Sequence, residues 1–152
     1  MYDMRIGGVV DRKKALVAAP TMSVSEAVKK MAKQKISAVL VVANERLIGI
    51  FTERDAVHRV LAKESDAHTT KLSEVMTPDP ITVTPDESFG YAMLLMHEHG
   101  FRHIPVVENG RPIGIVSARN ALDPELEEFA SEEERRKRIR RYPPGTKRPG
   151  SQ

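Results

Sequence analysis

The chain has 152 residues, 40% of them apolar and 30% charged, with neither cysteine nor tryptophan. That length suits one domain or two half-sized repeats sharing a core, and the missing cysteine excludes thiol nucleophiles, disulfides and thiolate zinc sites. The pI of about 9.3 misleads, because eight of the 24 Lys and Arg follow the last acidic residue, Glu134; residues 1–134 hold 16 basic and 21 acidic groups, a net charge of −5.

No segment has the unbroken apolar run of a signal peptide or a membrane span, so a soluble, cytoplasmic chain without membrane attachment is expected. In chain order, a short strand is predicted near Val17. Ser23, with Glu26 three residues on, then opens a helix whose apolar stripe is Val24, Ala27, Val28 and Met31. Ala38–Val42 and Leu47–Phe51 read as strands, with Asn44-Glu45 as a less certain turn between them, and polar residues then open another helix. The polar stretch Lys63–Lys71 reads as a linker, and Leu72–Met76 as a short helix leading to Thr77-Pro78. The series then recurs: a strand near Ile81–Val83, a helix with stripe Phe89, Ala92, Met93 and Met96 stopped by Gly100, and strands Ile104–Val107 and Ile113–Val116 about an Asn109-Gly110 hairpin turn.

The recurrence is a duplication. Shifted by 65 residues, positions 17–55 and 82–120 are identical at 12 of 39 places without a gap, against roughly 2 or 3 from ordinary residue frequencies. Each copy is a β-α-β-β-α unit of mixed α+β class. A unit of about 50 residues is too small to hold a secure core alone, so the two sheets are expected to pack face to face with pseudo-twofold symmetry. The expected division is residues 1–62 for the first repeat, 63–71 for the linker, 72–122 for the second repeat and 123–152 for a charged tail.

After each returning strand stands one pattern, Gly49-Ile50-Phe51-Thr52-Glu53-Arg54-Asp55 and Gly114-Ile115-Val116-Ser117-Ala118-Arg119-Asn120. A hydroxyl at a helix start, beside free backbone N–H groups, suits a phosphate. Asp55 can accept both protons of a ribose cis-diol, and Arg54 and Arg119 can supply countercharge. The same residues also make an ordinary N-cap pair, which duplication alone would copy.

The span from about Val9 to Leu122 resembles a pair of cystathionine-β-synthase-type (CBS) domains, the tandem Bateman module. The resemblance is carried by Val75-Met76-Thr77-Pro78, Ile81-Thr82-Val83, Phe101-Arg102-His103-Ile104-Pro105-Val106-Val107 and both glycine-led patterns. It implies a regulatory, non-catalytic module that binds an adenosine-containing ligand between repeats: AMP, ADP, ATP or NAD, with S-adenosylmethionine the less favoured. Thr52, Asp55, Ser117 and Asn120 would hold ribose and phosphate, Ile81, Thr82 and Val83 would line the base, and Arg102 and His103 would face phosphates. Ile104 and Pro105 complete that segment. Ser37-Ala38 stands where the second copy has Arg102-His103, and Asn120 replaces a carboxylate, so two unequal clefts are expected, with the Asp55 pocket the stronger. A homodimer formed through helices and an unidentified effector protein are the implied partners.

His97, His99 and His103 cluster in sequence, but Gly100 should separate them, so no metal site is expected. No nucleophile–base pattern appears, and no catalytic cofactor or catalytic residue is expected. Met31, Met93 and Met96 read as core. In the tail, Asp123–Glu134 reads as an acidic helix continuing into the basic run Arg135–Arg141, with a disordered end. The run through Arg148 makes nucleic-acid or acidic-partner binding the alternative reading.

Overall fold

The computed structural model describes residues 3–10 and 15–122; the readings of the charged tail fall outside the described residues. The first half contains strand β1 (Leu16–Ala18), helix α1 (Val24–Gln34), and strands β2 (Ala38–Ala43) and β3 (Arg46–Thr52). One short turn of helix, α2 (Glu53–Asp55), follows and widens into π-helical turns over Ala56–Leu61. Next come α3 (Leu72–Val75), β4 (Thr77–Pro78), α4 (Phe89–His99), β5 (His103–Glu108) and β6 (Arg111–Ser117), closed by a 3-10 turn at Ala118–Leu122. Among the described residues no helix is long and apolar enough to cross a membrane.

Both long helices begin and end as their sequences dictate. Ser23 Oγ accepts from the Glu26 N–H at 3.2 Å, and Ser88 Oγ accepts from the Tyr91 N–H at 3.1 Å. Lys35 and Gly100 end them in the left-handed conformation, at φ 55° and 73°. Val24, Ala27 and Met31 are buried on α1, and Phe89, Ala92 and Met96 on α4. Val28, expected in the first stripe, is 38% exposed, because the buried face is only as wide as the sheet edge it covers.

The sheets are unequal. β1 runs parallel to β2, β2 and β3 form a hairpin, and β4 adds at the far edge through Gly49↔Pro78 and Ile50↔Thr77. In the second half β5 and β6 pair alone, and the strand expected near Ile81–Val83 is reduced to one parallel bridge, Val83↔Val106. Val83 donates to Pro105 O at 3.0 Å and Val107 donates to Val83 O at 2.9 Å. The next rung of a parallel ladder would need the N–H of residue 105, and proline has none. The first copy has Leu40 at the equivalent position and keeps three paired residues.

Side-chain alternation divides the core into layers. Val39 and Val41 of β2 face α1 and join Phe51, Leu72 and Val75, while Ala38 and Leu40 face the other way, with Ile50, onto Ile115 of β6. That second face is the joint between the halves, as the face-to-face expectation required. A separate core holds Ile6, Val83, Phe89, Ile104, Val106 and Val116.

Short segments cross between the two halves. Residues 3–10 open the first sequence block yet pack on the second half: Ile6 donates to Glu87 O, Gly7 to Pro85 O, and Phe89 donates back to Met4 O, at 2.7–2.9 Å. Leu72 likewise donates to Met22 O, Ser73 to Pro20 O, and Val24 donates back to Thr70 O, at 2.9–3.0 Å, placing α3 in the first core. The two sets correspond, at a shift of 65 residues on the helix side and 66 on the lead-in side. Each repeat therefore has its helix entry sealed by a segment that its own sequence block, as divided above, does not contain. Burying Ile6 and Leu72 completely contributes about 1.5–3 kcal/mol each.

Both hairpins turn through two left-handed residues, Asn44-Glu45 (φ 51° and 65°) and Asn109-Gly110 (φ 55° and 77°). The turn left open in the first copy thus matches the second. The tips touch: Arg111 donates to Glu45 Oε2 at 3.0 Å, and a Cβ on Gly110 would stand 2.8 Å from Arg46 Nη1.

Candidate functional site

The strand order brings the ends of β3 and β6 to one side of the inter-sheet joint, where a cleft of about 1030 Å³ opens between the halves. This is at the upper end of the range for small-molecule sites. Thr52 and Asp55 enter from the first half, Ser117 and Arg119 from the second.

Thr52 and Asp55 cap each other. The Thr52 N–H donates to Asp55 Oδ2 at 2.9 Å, the Thr52 hydroxyl donates to the same oxygen at 3.2 Å, and the Asp55 N–H donates to Thr52 Oγ1 at 3.3 Å. Asp55 is buried, 9% exposed, and its Oδ1 lies 3.4 Å from Arg59 Nε. Arg59 also donates to the carbonyls of Val75 and Met76, at 3.2 and 2.9 Å, so it is held from three directions. The capping alternative is therefore satisfied in full, yet it engages chiefly one carboxylate oxygen. The other retains lone pairs toward the cleft.

The second half repeats the cap with one change. Ser117 N–H and hydroxyl donate to Asn120 Oδ1, at 2.7 and 3.3 Å. The atom equivalent to the outer oxygen of Asp55 is then the Asn120 amide nitrogen, a donor. It cannot accept a diol.

Both helix entries were expected to offer free backbone N–H groups, and the structure leaves fewer than expected, those of Arg54 and Arg119 among them. Thr52 and Asp55 spend theirs on the cap, Glu53 donates to Ser37 O at 3.0 Å, Ser117 donates to Asn120, and Ala118 donates to Arg102 O at 2.9 Å. An anion in the cleft would be met chiefly by side chains. Arg54, Arg102 and Arg119 line it, and their side chains make no hydrogen bond or ion pair with any described residue.

His103 joins the halves, its Nε2 lying 2.7 Å from Ser37 Oγ. Burial lowers its pKa below the usual 6.5, the guanidiniums of Arg102 and Arg119 lower it further, and Asp55 opposes them. Asp55, Arg102 and Arg119 line the same cleft as His103.

Of the residues read from sequence, Ser37, Thr52, Arg54, Asp55 and Ile81 reach the cleft, as do Arg102, His103, Ser117 and Arg119. Six do not line it. Ala38 packs between the sheets, Pro105 is buried, and Val83 and Ile104 lie in the second core, where strand alternation turns them from the face that carries His103. Thr82 is exposed outside the wall, and Asn120 is turned to its cap. Sequence reasoning missed Arg59 and His58, although Arg59 lies four residues beyond Asp55, the helical spacing that puts them side by side. Gly100 ends α4 between the histidines, His99 stacks on Phe101 at 5.5 Å, and among the described residues no three metal-binding side chains converge.

Comparison with known proteins agrees with this architecture. The CBS domain family matches residues 6–62 and 72–125. The CBS domain-containing protein CBSCBSPB1 of Arabidopsis thaliana is 37% identical over 110 residues, 72% of this chain but only 20% of its own length. The chain spans about a fifth of the length of the first several curated relatives it matches. Among solved structures, the CBS-domain containing protein ATU1752 from Agrobacterium tumefaciens superposes with TM-score 0.71 at 31% identity, covering 78% of this chain and 97% of the other. The CBS domain pair of protein MJ0100, solved in complex with 5′-methylthioadenosine and S-adenosyl-L-methionine, gives TM-score 0.71 at 25% identity over 78% and 97%. Two family matches covering two pseudo-symmetric halves, joined sheet to sheet around a shared cleft, make this chain a member of the CBS-domain family and, within it, a CBS domain pair.

Proposed function

We propose that this CBS pair is a regulatory module that binds an adenine nucleotide in the inter-repeat cleft and passes its occupancy to a partner protein. One observation carries the reading: an acceptor carboxylate from the first repeat, Asp55, faces guanidiniums of the second across one cavity. A nucleotide has the matching pair of features, a diol that donates and a phosphate that accepts. Ile50 and Ile81 supply apolar wall for a base. The adenosine ligands of the MJ0100 pair support the choice of nucleoside.

The regulation is thermodynamic. A ligand held by both repeats favours the spacing of the halves that lets it reach both, and only this difference in affinity shifts the population. Ser37–His103 and the cap residues lie at the joint, so the change reaches the sheets directly. A homodimer through helices is part of the proposal, supported by Tyr91 and Leu94, which leave α4 about half exposed.

Titration calorimetry with ADP and 2′-deoxy-ADP tests the assignment. The ribo form should bind about tenfold or more tightly, the scale of a lost hydrogen bond to a charged acceptor. Equal binding would remove Asp55 from the role of diol acceptor.

A further inference from the structure

The cleft's charge narrows the ligand further. Four arginines line it: Arg54, Arg59, Arg102 and Arg119. Arg59 is committed to Asp55 and to two carbonyls. The other three have no side-chain partner among the described residues, and most backbone N–H groups at the two helix entries are already bonded. Three uncommitted guanidiniums, each able to grip phosphoryl oxygens through two N–H groups, exceed what one phosphoryl group can occupy. Three carboxylates also line the cleft, but Glu53 and Asp79 are exposed, and Asp55 alone of the three is buried. Asp55 has an outer oxygen, whereas Asn120 has an amide in the equivalent place and stands outside the cleft wall.

Resting on the adenine-nucleotide reading above, we infer that the cleft is a one-to-one site for a mononucleoside polyphosphate, with Arg102 and Arg119 as the residues that select it. Two classes are disfavoured on the same grounds. A dinucleotide brings two diols to one buried carboxylate. A sulfonium such as S-adenosylmethionine brings net positive charge to a wall where four arginines stand against three carboxylates, and 5′-methylthioadenosine offers the exposed guanidiniums no phosphoryl oxygen. The chain thus departs in specificity from the MJ0100 pair while sharing its fold.

Calorimetric titration of the full chain at fixed ionic strength tests this with ATP, ADP, AMP, NAD, 5′-methylthioadenosine, S-adenosylmethionine and inorganic triphosphate. Expected are one ATP per chain, an affinity falling at least tenfold from ATP to AMP and again to 5′-methylthioadenosine, and S-adenosylmethionine the weakest. The double variant R102Q/R119Q should cut ATP affinity at least tenfold while leaving 5′-methylthioadenosine unchanged; R111Q, at the hairpin tip, should alter neither. Both replaced guanidiniums are exposed and unbonded, so melting temperatures should match the parent. If 5′-methylthioadenosine or S-adenosylmethionine binds as tightly as ATP, the polyphosphate inference falls and the adenosine reading stands. NAD tighter than ADP, or two ATP per chain, overturns the single-nucleoside part. Inorganic triphosphate as tight as ATP overturns the nucleoside reading itself, and no binding by any adenosine compound overturns both.

Discussion

The two halves descend from one unit and keep the same cap, yet a single atom separates what they can bind. In the first half the cap acceptor is Asp55, whose spare oxygen accepts; in the second it is Asn120, whose spare nitrogen donates. The opposite trade occurs one strand earlier, where Ser37-Ala38 of the first half faces Arg102-His103 of the second. The cleft is therefore a composite: one repeat supplies the acceptor and the other contributes cations.

The largest effect should come from the exchanged segments. Leu72 is fully buried in the first core although it opens the second sequence block. Leu72→Ala should cost about 2–5 kcal/mol, the range for a truncated core leucine, measured by urea unfolding. Ile6→Ala should cost a similar amount through the second core. A near-neutral result at either position would mean that the lead-in segments are ornamental and each repeat holds its own core.

Next in size is the substitution that makes the first half resemble the second. Asp55→Asn keeps an oxygen for the Thr52 cap, as Asn120 does for Ser117, but removes the charged acceptor. Nucleotide affinity should fall by about 1.5–3 kcal/mol, read by calorimetry, while the melting temperature moves little. Asp55→Ala should lose the affinity and also about 1 kcal/mol of stability, since it removes the cap as well. Should Asp55→Asn bind normally, Asp55 is a capping residue only.

Why the cap was legible in sequence and the exchange was not follows from range. A hydroxyl three residues before an acid is a local pattern, and so are the stripe of α1 and the Asn-Gly turn. The duplication was legible because Gly49-Ile50 and Gly114-Ile115 sit at one constant spacing. Which core a short segment enters is non-local: Ile6 and Leu72 look alike in any window, and only the paired bonds to Glu87 and Met22 reveal the crossing. The site was read as contiguous runs, and the pleat then removed alternate members, sending Ile104 and Val83 inward while His103 stayed at the cleft. Pro105 ended a ladder through a missing donor that sequence shows, but whose rung only the register identifies.

A pH dependence should trace to the second half alone of the two equivalent positions, since Ala38 occupies the first. His103 is held below its usual 6.5 by burial and then by Arg102 and Arg119, with Asp55 the opposing charge and Ser37 the bonded neighbour. The unfolded chain then takes up a proton near 6.5 where the folded chain does not, so stability rises with pH across that window. The contribution is complete above pH 6.5 and is lost as pH falls toward the folded pKa. Melting curves between pH 5 and 7.5 should show a shallower slope for His103→Gln, and for R102Q/R119Q a slope shifted the same way. An unchanged slope in His103→Gln would assign the dependence elsewhere.

The smallest effect concerns the hairpin tips. Glu45 occupies a left-handed position where the second half has Gly110, and non-glycine residues there cost about 1–2 kcal/mol. Against this stands the exposed pair with Arg111 at 3.0 Å, for which about 0.2–1 kcal/mol is typical. Glu45→Gly removes both and gives the first tip the Asn-Gly sequence of the second, so the relief should narrowly exceed the loss. Urea midpoints at low and high salt separate the contributions, because salt screens the exposed pair and leaves backbone strain untouched. At high salt the parent has already lost much of the ion pair, so the gain from Glu45→Gly should grow. A gain that shrinks instead would mean that the contact between tips, rather than the turn, sets the stability of this end of the molecule.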